Sequence, residues 1–220
     1  MIARPPVALP LLALAAFLAL FAMVVGGWAP LESFDAAVSD AFRGYGDQRP
    51  DLVSVLRIAT DVAATVPFLV IGAVVSAGLL ARAERRLAAC CAAVTVVVPV
   101  LWSLMHWWVH SPRPLNGFVV VHSNGFPSGH TSNASALALV AVLLLWPRFA
   151  RTGRVVTVSL AAAFAIFIGL TRLALLAHWP ADVLGGWLLA LAVVPPVAYA
   201  VDRLAPRPPV PALAANRAPR

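Results

Sequence analysis

The stretch GFPSGHTSNASALALVAVLLLW, residues 125–146, decides how the whole chain is interpreted. It begins with small and polar residues, among them Ser128 and His130, and continues as a long apolar helix. Polar groups are costly to bury in lipid, so a serine and a histidine at the mouth of a membrane-length segment require a reason. The stretch therefore predicts a membrane helix whose polar end carries chemistry.

The composition places the chain in a membrane. Of its 220 residues, 61% are hydrophobic and only 11% are charged, which is too little polar surface for a soluble domain. A membrane-crossing helix needs roughly 20 apolar residues. Six segments qualify: 7–29, 62–81, 88–108, 131–147, 155–173 and 183–201. The first lacks a cleavage pattern, so we expect it to be retained. With no strand-like alternation, the fold class is all-α: a polytopic, six-transmembrane-helix bundle.

The arginines indicate how the helices are oriented. All sixteen basic residues are arginines, and the net charge is +7. With six spans, eleven of them face one side, and the other five face the opposite side, at positions 43, 49, 57, 113 and 172. Because basic residues are enriched in cytoplasmic connections, we expect both termini in the cytoplasm, at a bacterial cytoplasmic membrane. Some arginines can contact anionic headgroups, and the sequence has no nucleic-acid signature.

The chain is expected to form one membrane domain, residues 1–203, followed by a disordered cytoplasmic tail rich in proline and arginine, residues 204–220. The domain includes an outer loop, 30–57, and a catalytic core, 106–182. In the outer loop, Gly44–Pro50 is predicted to be a turn. A short amphipathic surface helix is predicted before it, from the helical spacing of Phe34, Ala37, Val38 and Phe42.

Chemistry-bearing side chains gather at one level of the predicted bundle. All five histidines lie between positions 106 and 178, and the topology places each of them at or beyond an outer helix end. Arg113, Arg172 and Asp182 lie at the same level. Ionisable residues at this depth indicate a functional site. Cys90 and Cys91 are adjacent inside an apolar segment, so neither a disulfide nor a metal site is expected from them.

Two of the converging segments suit an anion. Pro127 and Gly129 shape a turn, and Ser128 can cap the helix that begins near His130. The free N–H groups there, with the positive end of the helix dipole, suit phosphate, although a capped helix without a ligand would have the same sequence. Two permanently charged forks also match phosphate oxygens, or alternatively anchor to lipid headgroups: Arg113 and Arg172.

The third segment has the pattern of a histidine nucleophile that a carboxylate holds in position. His178 and Asp182 are four residues apart, and Pro180 suits the first turn of a new helix. A carboxylate bonded to one imidazole nitrogen leaves the other free to attack, whereas a simple surface hydrogen bond is the alternative. Taken together, the three segments describe phosphoryl transfer, in which one histidine attacks phosphorus and another protonates the leaving oxygen.

These motifs resemble those of the type 2 phosphatidic acid phosphatase superfamily, which also contains vanadium haloperoxidases. That family carries Lys-x6-Arg-Pro, Pro-Ser-Gly-His and Ser-Arg-x5-His-x3-Asp. The second motif is matched in full by Pro127–His130. The third is matched by Arg172, His178 and Asp182, with Thr171 in place of serine. In the first, Arg113 and Pro114 match, and His106 stands at the lysine position. The resemblance covers roughly residues 30–200, including the six-helix layout.

The resemblance implies roles for these residues. His178 would be the nucleophile that becomes phosphohistidine, Asp182 would orient it, and His130 would be the general acid and later the general base. Phosphate would be bound by Arg113, Ser128, Gly129 and Arg172. Neither a metal nor another cofactor is implied. His122 and Asn116, in the loop after Arg113, are candidates for headgroup contact or simply solvated.

His106 departs from the family pattern. Lysine is long and permanently charged, whereas histidine is shorter and largely neutral at neutral pH. A protonated His106 would still be a phosphate ligand, with His110 one turn on as a substitute. Alternatively the site is weakened, altered in substrate or inactive. His106 also suits an aromatic belt, beside Trp107 and Trp108.

The expected function is a metal-independent membrane phosphatase that hydrolyses lipid phosphomonoesters or diphosphates at the extracytoplasmic helix ends. Phosphatidic acid, phosphatidylglycerophosphate and polyprenyl diphosphate are the candidate substrates. Membrane lipids are the expected partners, nucleic acid is not, and the oligomeric state is left open. Three alternatives remain: a non-catalytic or altered lipid-phosphate binding or transport protein on the same fold, a serine hydrolase using Ser128, and a haloperoxidase.

Overall fold

Eight α-helices and two short 3-10 turns make up residues 6–204, the part of the chain that this computed structural model describes. The helices are α1 (Ala8–Val25), α2 (Ala29–Asp47), α3 (Pro50–Thr60), α4 (Thr65–Ala81), α5 (Arg85–Trp108), α6 (Gly129–Leu145), α7 (Arg151–Ala174) and α8 (Pro180–Leu204). These residues contain no β-strand, and the all-α prediction is confirmed. The predicted disordered tail lies outside the described residues except for Leu204, so the domain boundaries stay a prediction.

Five helices are long and apolar enough to cross a membrane: α1, α5, α6 with the turn after it, α7 and α8. A sixth span results if Pro50–Ala63 and Thr65–Ala81 are counted together, although the two pieces are bent by 41°. Pro67 lies in the first turn of α4, where its missing N–H costs no helical hydrogen bond, so a new helix begins there readily. The predicted membrane-spanning bundle is confirmed, with five spans among the described residues, or six if the bent pair is one span.

The outer loop is more helical than the sequence indicated. The prediction of a turn at Gly44–Pro50 is wrong for most of that range, because α2 continues through Asp47 and Pro50 starts α3. Gly46 is buried against the ring of Phe118, and a Cβ there would approach that ring to 2.4 Å. Gly46 therefore allows close packing inside the helix, whereas Gly44 faces open space.

The polar first turns of α6 lie in the interior of the bundle, between α5, α7 and α8. Their hydroxyls are satisfied within the helix: Ser132 Oγ donates to Ser128 O at 2.8 Å, and Ser135 Oγ donates to Thr131 O at 2.7 Å. Asn133 is satisfied between helices, because it donates to Ala63 O at 3.2 Å. Small polar residues thus allow neighbouring helices to approach closely, and this places the start of α6 at the centre of the site.

Candidate active site

The His178–Asp182 pair lies where α7 connects to α8. His178 is 2% exposed, and its Nδ1 lies 3.2 Å from Asp182 Oδ2. The same carboxylate oxygen accepts the Trp179 N–H at 3.0 Å, which holds it in place. The helix begins at Pro180, so the carboxylate reaches back across the first turn, as the spacing predicted.

Arg113 decides which nitrogen of His178 carries the proton. Its Nη1 lies 2.7 Å from His178 Nε2 and 3.3 Å from Nδ1. Because a guanidinium only donates hydrogen bonds, Nε2 is the acceptor and carries the lone pair. Nδ1–H then donates to Asp182. This tautomer leaves a lone pair on Nε2, the atom that a nucleophilic histidine uses.

The surroundings of His178 favour its neutral form. Burial, and next the positive charge of Arg113, hold the pKa of His178 well below its ordinary value of 6.5. The imidazole is therefore unprotonated at neutral pH. A neutral imidazole retains its lone pair, as attack on an electrophile requires.

Arg113 is held by the loop that carries it. Its Nε donates to Ser123 O at 2.8 Å, and its Nη2 donates to Ser123 Oγ at 3.1 Å and to Asn124 O at 2.9 Å. Its Nη1 donates to Ala177 O at 2.6 Å as well as to His178. All five N–H donors of the guanidinium are thus engaged within the protein. A phosphate oxygen would have to replace one of these acceptors.

Arg172 differs, because part of its fork has no acceptor. It is 4% exposed in the last turn of α7. Its Nη1 lies 3.3 Å from Thr60 Oγ1, while its buried Nε has no hydrogen-bond partner among residues 6–204. An unsatisfied buried donor is costly, and a charged one more so. The arrangement suits an anionic oxygen that would accept from Nε.

Ser128 caps α6 and joins it to α8. Ser128 is fully buried, and its Oγ accepts from Thr131 N at 3.4 Å and from Thr131 Oγ1 at 3.0 Å. Its own N–H donates to Asp182 O at 2.9 Å. The prediction that Ser128 caps the helix is confirmed. The next two N–H groups, those of Gly129 and His130, lie in the first turn, where no intrahelical acceptor is available.

Gly129 and His130 begin α6 on the side of the arginines. A Cβ on Gly129 would approach the ring of Trp102 to 3.1 Å, so glycine allows the helix start to pack against α5. His130 is half-buried, and the charges of Arg172 and Arg113 both act on it. The structure therefore brings His130 into the same cluster as the two arginines. Its role as general acid stays a prediction.

His106 contacts the loop before α6. Its Nε2 lies 2.7 Å from Pro127 O, and because a carbonyl only accepts, Nε2–H is the donor. The neutral ring then has no second N–H to donate to phosphate. The backbone carbonyl of His106 accepts from Asn124 Nδ2 at 2.8 Å, which ties α5 to the same loop. Direct phosphate binding by His106 stays a prediction that requires the protonated ring.

Sequence reasoning missed several residues that hold the site together. Thr60 contacts Arg172, Ser123 and Asn124 brace Arg113, and the Trp179 indole donates to Pro112 O at 2.8 Å. None of these residues belongs to a motif. Their partners are distant in sequence, so no local signal identifies them.

Metal ligation has no obvious place here. Within the described range 6–204, no three His, Cys, Asp or Glu side chains form a group suited to a metal ion. Cys90 and Cys91 are buried free thiols. Metal independence of the reaction stays a prediction.

The protein is an α-helical membrane protein with histidines, arginines and a helix N-terminus gathered at one end of its bundle. The family model described as the PAP2 superfamily matches residues 44–205, and the chain belongs to that superfamily. The resemblance drawn from the three motifs is thereby confirmed.

A solved structure and curated relatives agree with this family. The crystal structure of the first transmembrane PAP2 type phosphatidylglycerolphosphate phosphatase from Bacillus subtilis matches with a TM-score of 0.75. Sequence identity is 25%, over 89% of this chain and 96% of that one. Phosphatidylglycerophosphatase B of Escherichia coli strain K12, and the protein of the same name from Shigella flexneri, are 38% identical over 79 residues. That match covers 36% of this chain and only 30% of the length of these relatives.

Proposed function

We propose that the protein is a membrane phosphatase that hydrolyses lipid phosphomonoesters or diphosphates through a phosphohistidine intermediate. One observation carries the proposal: the buried His178 donates a hydrogen bond from Nδ1 to Asp182, and its Nε2 lone pair accepts one from Arg113. The charge of Arg172 also acts on this imidazole. A nucleophile beside two cations is suited to an anionic electrophile, such as a phosphate.

The proposed reaction uses this geometry in two steps. His178 Nε2 attacks phosphorus while the bond from phosphorus to the leaving oxygen breaks. His130, which takes up a proton when the phosphate dianion binds beside it, donates that proton to the leaving oxygen. Arg113 Nη1 transfers from Nε2 to a phosphate oxygen as the N–P bond forms. In the second step His130 takes a proton from water, the water oxygen bonds to phosphorus, and the N–P bond breaks. Inorganic phosphate leaves and neutral His178 is restored.

Charge is balanced by the protein's own groups. Positive charge that develops on His178 is stabilised by Asp182 through the Nδ1–H bond. Phosphate oxygens are bound by Arg172 Nε and by the N–H groups that open α6, at Gly129 and His130. The Ser128 hydroxyl donates a hydrogen bond to the same anion. These donors support metal-independent hydrolysis.

The surface beside Arg113 supports an amphiphilic substrate. An open pocket of about 590 Å³ is lined by His106, His110, Arg113 and His122. It adjoins an apolar cleft along α5, of about 370 Å³, and both are lined by Ser103 and Trp107. A polar cavity that continues into a lipid-facing cleft suits a phosphate head with a hydrocarbon chain. Because the relatives are named as phosphatases of phosphatidylglycerophosphate, we propose that lipid as the first candidate, before phosphatidic acid and polyprenyl diphosphate.

The arginine distribution supports a cytoplasmic membrane location with the site on the outer side. From the order of the six spans in the sequence, five arginines are expected on the side of the site and the other eleven on the opposite side. The basic side is expected to face the cytoplasm. Both termini would then be cytoplasmic, and lipid phosphates of the outer leaflet would reach the site.

The test is phosphate release by the purified protein in detergent, with each candidate lipid phosphate, with and without EDTA. We expect release by the wild type that EDTA leaves unchanged, no release by His178→Ala, and a phosphoryl group on His178 in quenched reactions. A wild type that binds these lipids without releasing phosphate would favour the non-catalytic alternative. Labelling of Ser128 by a serine-directed probe would favour the hydrolase, although the buried capping role of that hydroxyl opposes it.

A matched pair of variants tests chain recognition separately from phosphate chemistry. Leu104→Trp fills the cleft on α5, whereas Leu160→Trp adds the same bulk to a lipid-facing position on α7. We expect Leu104→Trp to raise KM several-fold for a long-chain lipid phosphate and to leave a short-chain, water-soluble phosphate unaffected. Equal kinetics of both variants on the long-chain substrate would remove the cleft from the proposal.

A further inference from the structure

Asp35, on the outer helix α2, contacts the helix that carries Asp182. Its side chain is buried, at 8% exposure, and its Oδ1 accepts the backbone N–H of Ala181 at 3.0 Å. Ala181 directly precedes Asp182 in the first turn of α8. The family match begins at residue 44, so Asp35 lies outside the matched segment and reaches into the site from there.

This contact satisfies a group that α8 leaves without an acceptor. The first N–H groups of a helix have no intrahelical partner, and they need one when they are buried. Pro180 has no N–H, Val183 N donates to Trp179 O at 3.2 Å, and Ala181 is 3% exposed. The Asp182 carboxylate is committed to His178 and to Trp179 N. Asp35 therefore supplies from another helix the acceptor that Ala181 N–H requires.

Keeping a carboxylate here has a stability cost. Burial raises the pKa of Asp35 from 3.8 to about 6, the Ala181 N–H opposes this, and the charge of Glu32 adds to it. Between pH 3.8 and about 6 the folded protein holds a proton that the unfolded chain has lost, so stability falls as pH rises through this window. The helices around α2 carry few other charges near Asp35. Asp182 on α8 interacts with the Asp35 charge, and α7 carries Arg172 at its outer end. The helix α1 has no ionisable residue.

We propose that Asp35 is a positioning residue for the reaction: by holding Ala181 N–H it fixes the first turn of α8, and thereby the Asp182 carboxylate that orients His178. The outer helix α2 is then part of the active-site architecture. This inference rests on the proposed phosphatase function.

Four variants separate position from charge. Asp35→Ala removes the acceptor, Asp35→Asn keeps an oxygen acceptor without charge, and Asp35→Glu keeps the charge but displaces the oxygen. Asp40→Ala, at an exposed site on the same helix, is the control. We expect Asp35→Ala to lower kcat roughly tenfold or more with little change in KM, as for loss of a charge-assisted hydrogen bond. Asp35→Asn should stay within about threefold of wild type, above Asp35→Glu.

The pH profile distinguishes this role from a general effect on folding. In the wild type, kcat should rise about threefold as pH increases through about 6, where Asp35 ionises and its bond to Ala181 strengthens. In Asp35→Asn this inflection should be absent. The same variant should unfold at an equal or higher temperature than wild type at pH 7.5, because a neutral amide avoids the burial of charge.

Hydrogen exchange provides a readout that does not depend on turnover. The peptide that contains Ala181 and Asp182 should exchange faster in Asp35→Ala than in wild type, and at the wild-type rate in Asp40→Ala. Wild-type kcat in a folded Asp35→Ala protein, or unchanged exchange at the start of α8, would overturn the inference. If the wild type released no phosphate, the proposed function would fail, and the exchange result would still decide whether Asp35 holds this turn.

Discussion

Two arginines reach the same site from regions that are built differently. Arg113 lies on the irregular segment between α5 and α6, and all five of its N–H donors are engaged, four of them by the protein backbone or Ser123. Arg172 lies at the end of a long helix, with one acceptor at Thr60 Oγ1 and a buried Nε without a partner. Arg113 is braced by the loop, whereas Arg172 has one buried donor, Nε, that a ligand can use.

The two arginines therefore have different roles. A loop has few backbone hydrogen bonds of its own, so Arg113 substitutes for them and fixes the loop against His178. A helix is already rigid, so Arg172 can present donors without supporting its own backbone. We therefore expect Arg172 to contribute mainly to phosphate binding in the transition state, and Arg113 mainly to the geometry around His178.

The largest effect is expected from Arg172→Ala. Removing a buried cation whose Nε has no protein acceptor should lower kcat/KM by about 10²–10³, the size seen for loss of a transition-state donor. Arg172→Lys should recover little, because an ammonium group cannot reproduce the fork. Phosphate release in detergent is the measurement, with the exposed Arg57→Ala on α3 as the control. Equal activity of the Arg172 and Arg57 variants would reverse the comparison.

A smaller loss is expected from Arg113→Lys, about 10–10² in kcat/KM, because the charge remains while the fork that braces the loop is lost. Amide hydrogen exchange across residues 109–128 should be faster in Arg113→Lys than in wild type. In Arg172→Lys it should be unchanged. Arg43→Lys is a matched comparison, since Arg43 donates to Leu115 O at 2.6 Å and Asn116 O at 2.9 Å without contacting His178. Arg43→Lys should also loosen the loop, but it should lower kcat/KM less than Arg113→Lys does. If both variants lowered kcat/KM equally, the loss in Arg113→Lys would come from the loop and not from its contact with His178.

The pH dependence gives the next smaller effect. Because burial and then Arg113 hold the pKa of His178 well below 6.5, protonation of His178 should add nothing to the roughly threefold fall in wild-type kcat/KM that Asp35 is expected to cause near pH 6. A larger fall would report protonation of His178. In Arg113→Gln the loss of a positive charge should raise the pKa of His178, so activity should fall several-fold near pH 6 relative to its value near pH 8. If kcat/KM fell equally at low pH in wild type and in Arg113→Gln, Arg113 would not affect the pKa of His178.

The same pKa has a consequence for stability. Below pH 6.5, His178 binds fewer protons in the folded protein than in the unfolded chain, because its pKa is lowered by folding. The free energy of unfolding should therefore decrease as pH falls below 6.5. Thermal unfolding between about pH 5 and pH 8 should show this, and His178→Gln should show a smaller dependence.

The smallest effect is expected from Thr60→Val. This change keeps the side-chain shape and removes the acceptor for Arg172 Nη1, so kcat/KM should fall about threefold, as for a long neutral hydrogen bond. Thr157→Val, a half-buried threonine on α7 whose hydroxyl donates to Gly153 O, is the matched control. A loss above that of Arg113→Lys would show that Thr60, rather than ligand binding, sets the position of Arg172.

Much of the fold followed from apolar length alone. Segments predicted at 88–108 and 155–173 are within a few residues of α5 and α7. The weakest prediction was the outer loop, because α2 buries Asp35, Ser39 and Gly46 instead of presenting a simple apolar face to the membrane. Periodicity does not reveal that a polar helix face packs against protein, because that depends on a neighbour distant in sequence.

Local features could be inferred from the residues alone: the membrane helices, the Ser128 cap and the His178–Asp182 pair. Each of these relations spans at most four residues or one helix, so backbone geometry decides it. Only the tertiary structure decided how Arg113 meets His178, Thr60 meets Arg172 and Asp35 meets Ala181, across 65, 112 and 146 positions. The physical reason is that these contacts depend on how whole helices pack, and a hydrogen bond between distant residues leaves no periodic or local trace in the chain.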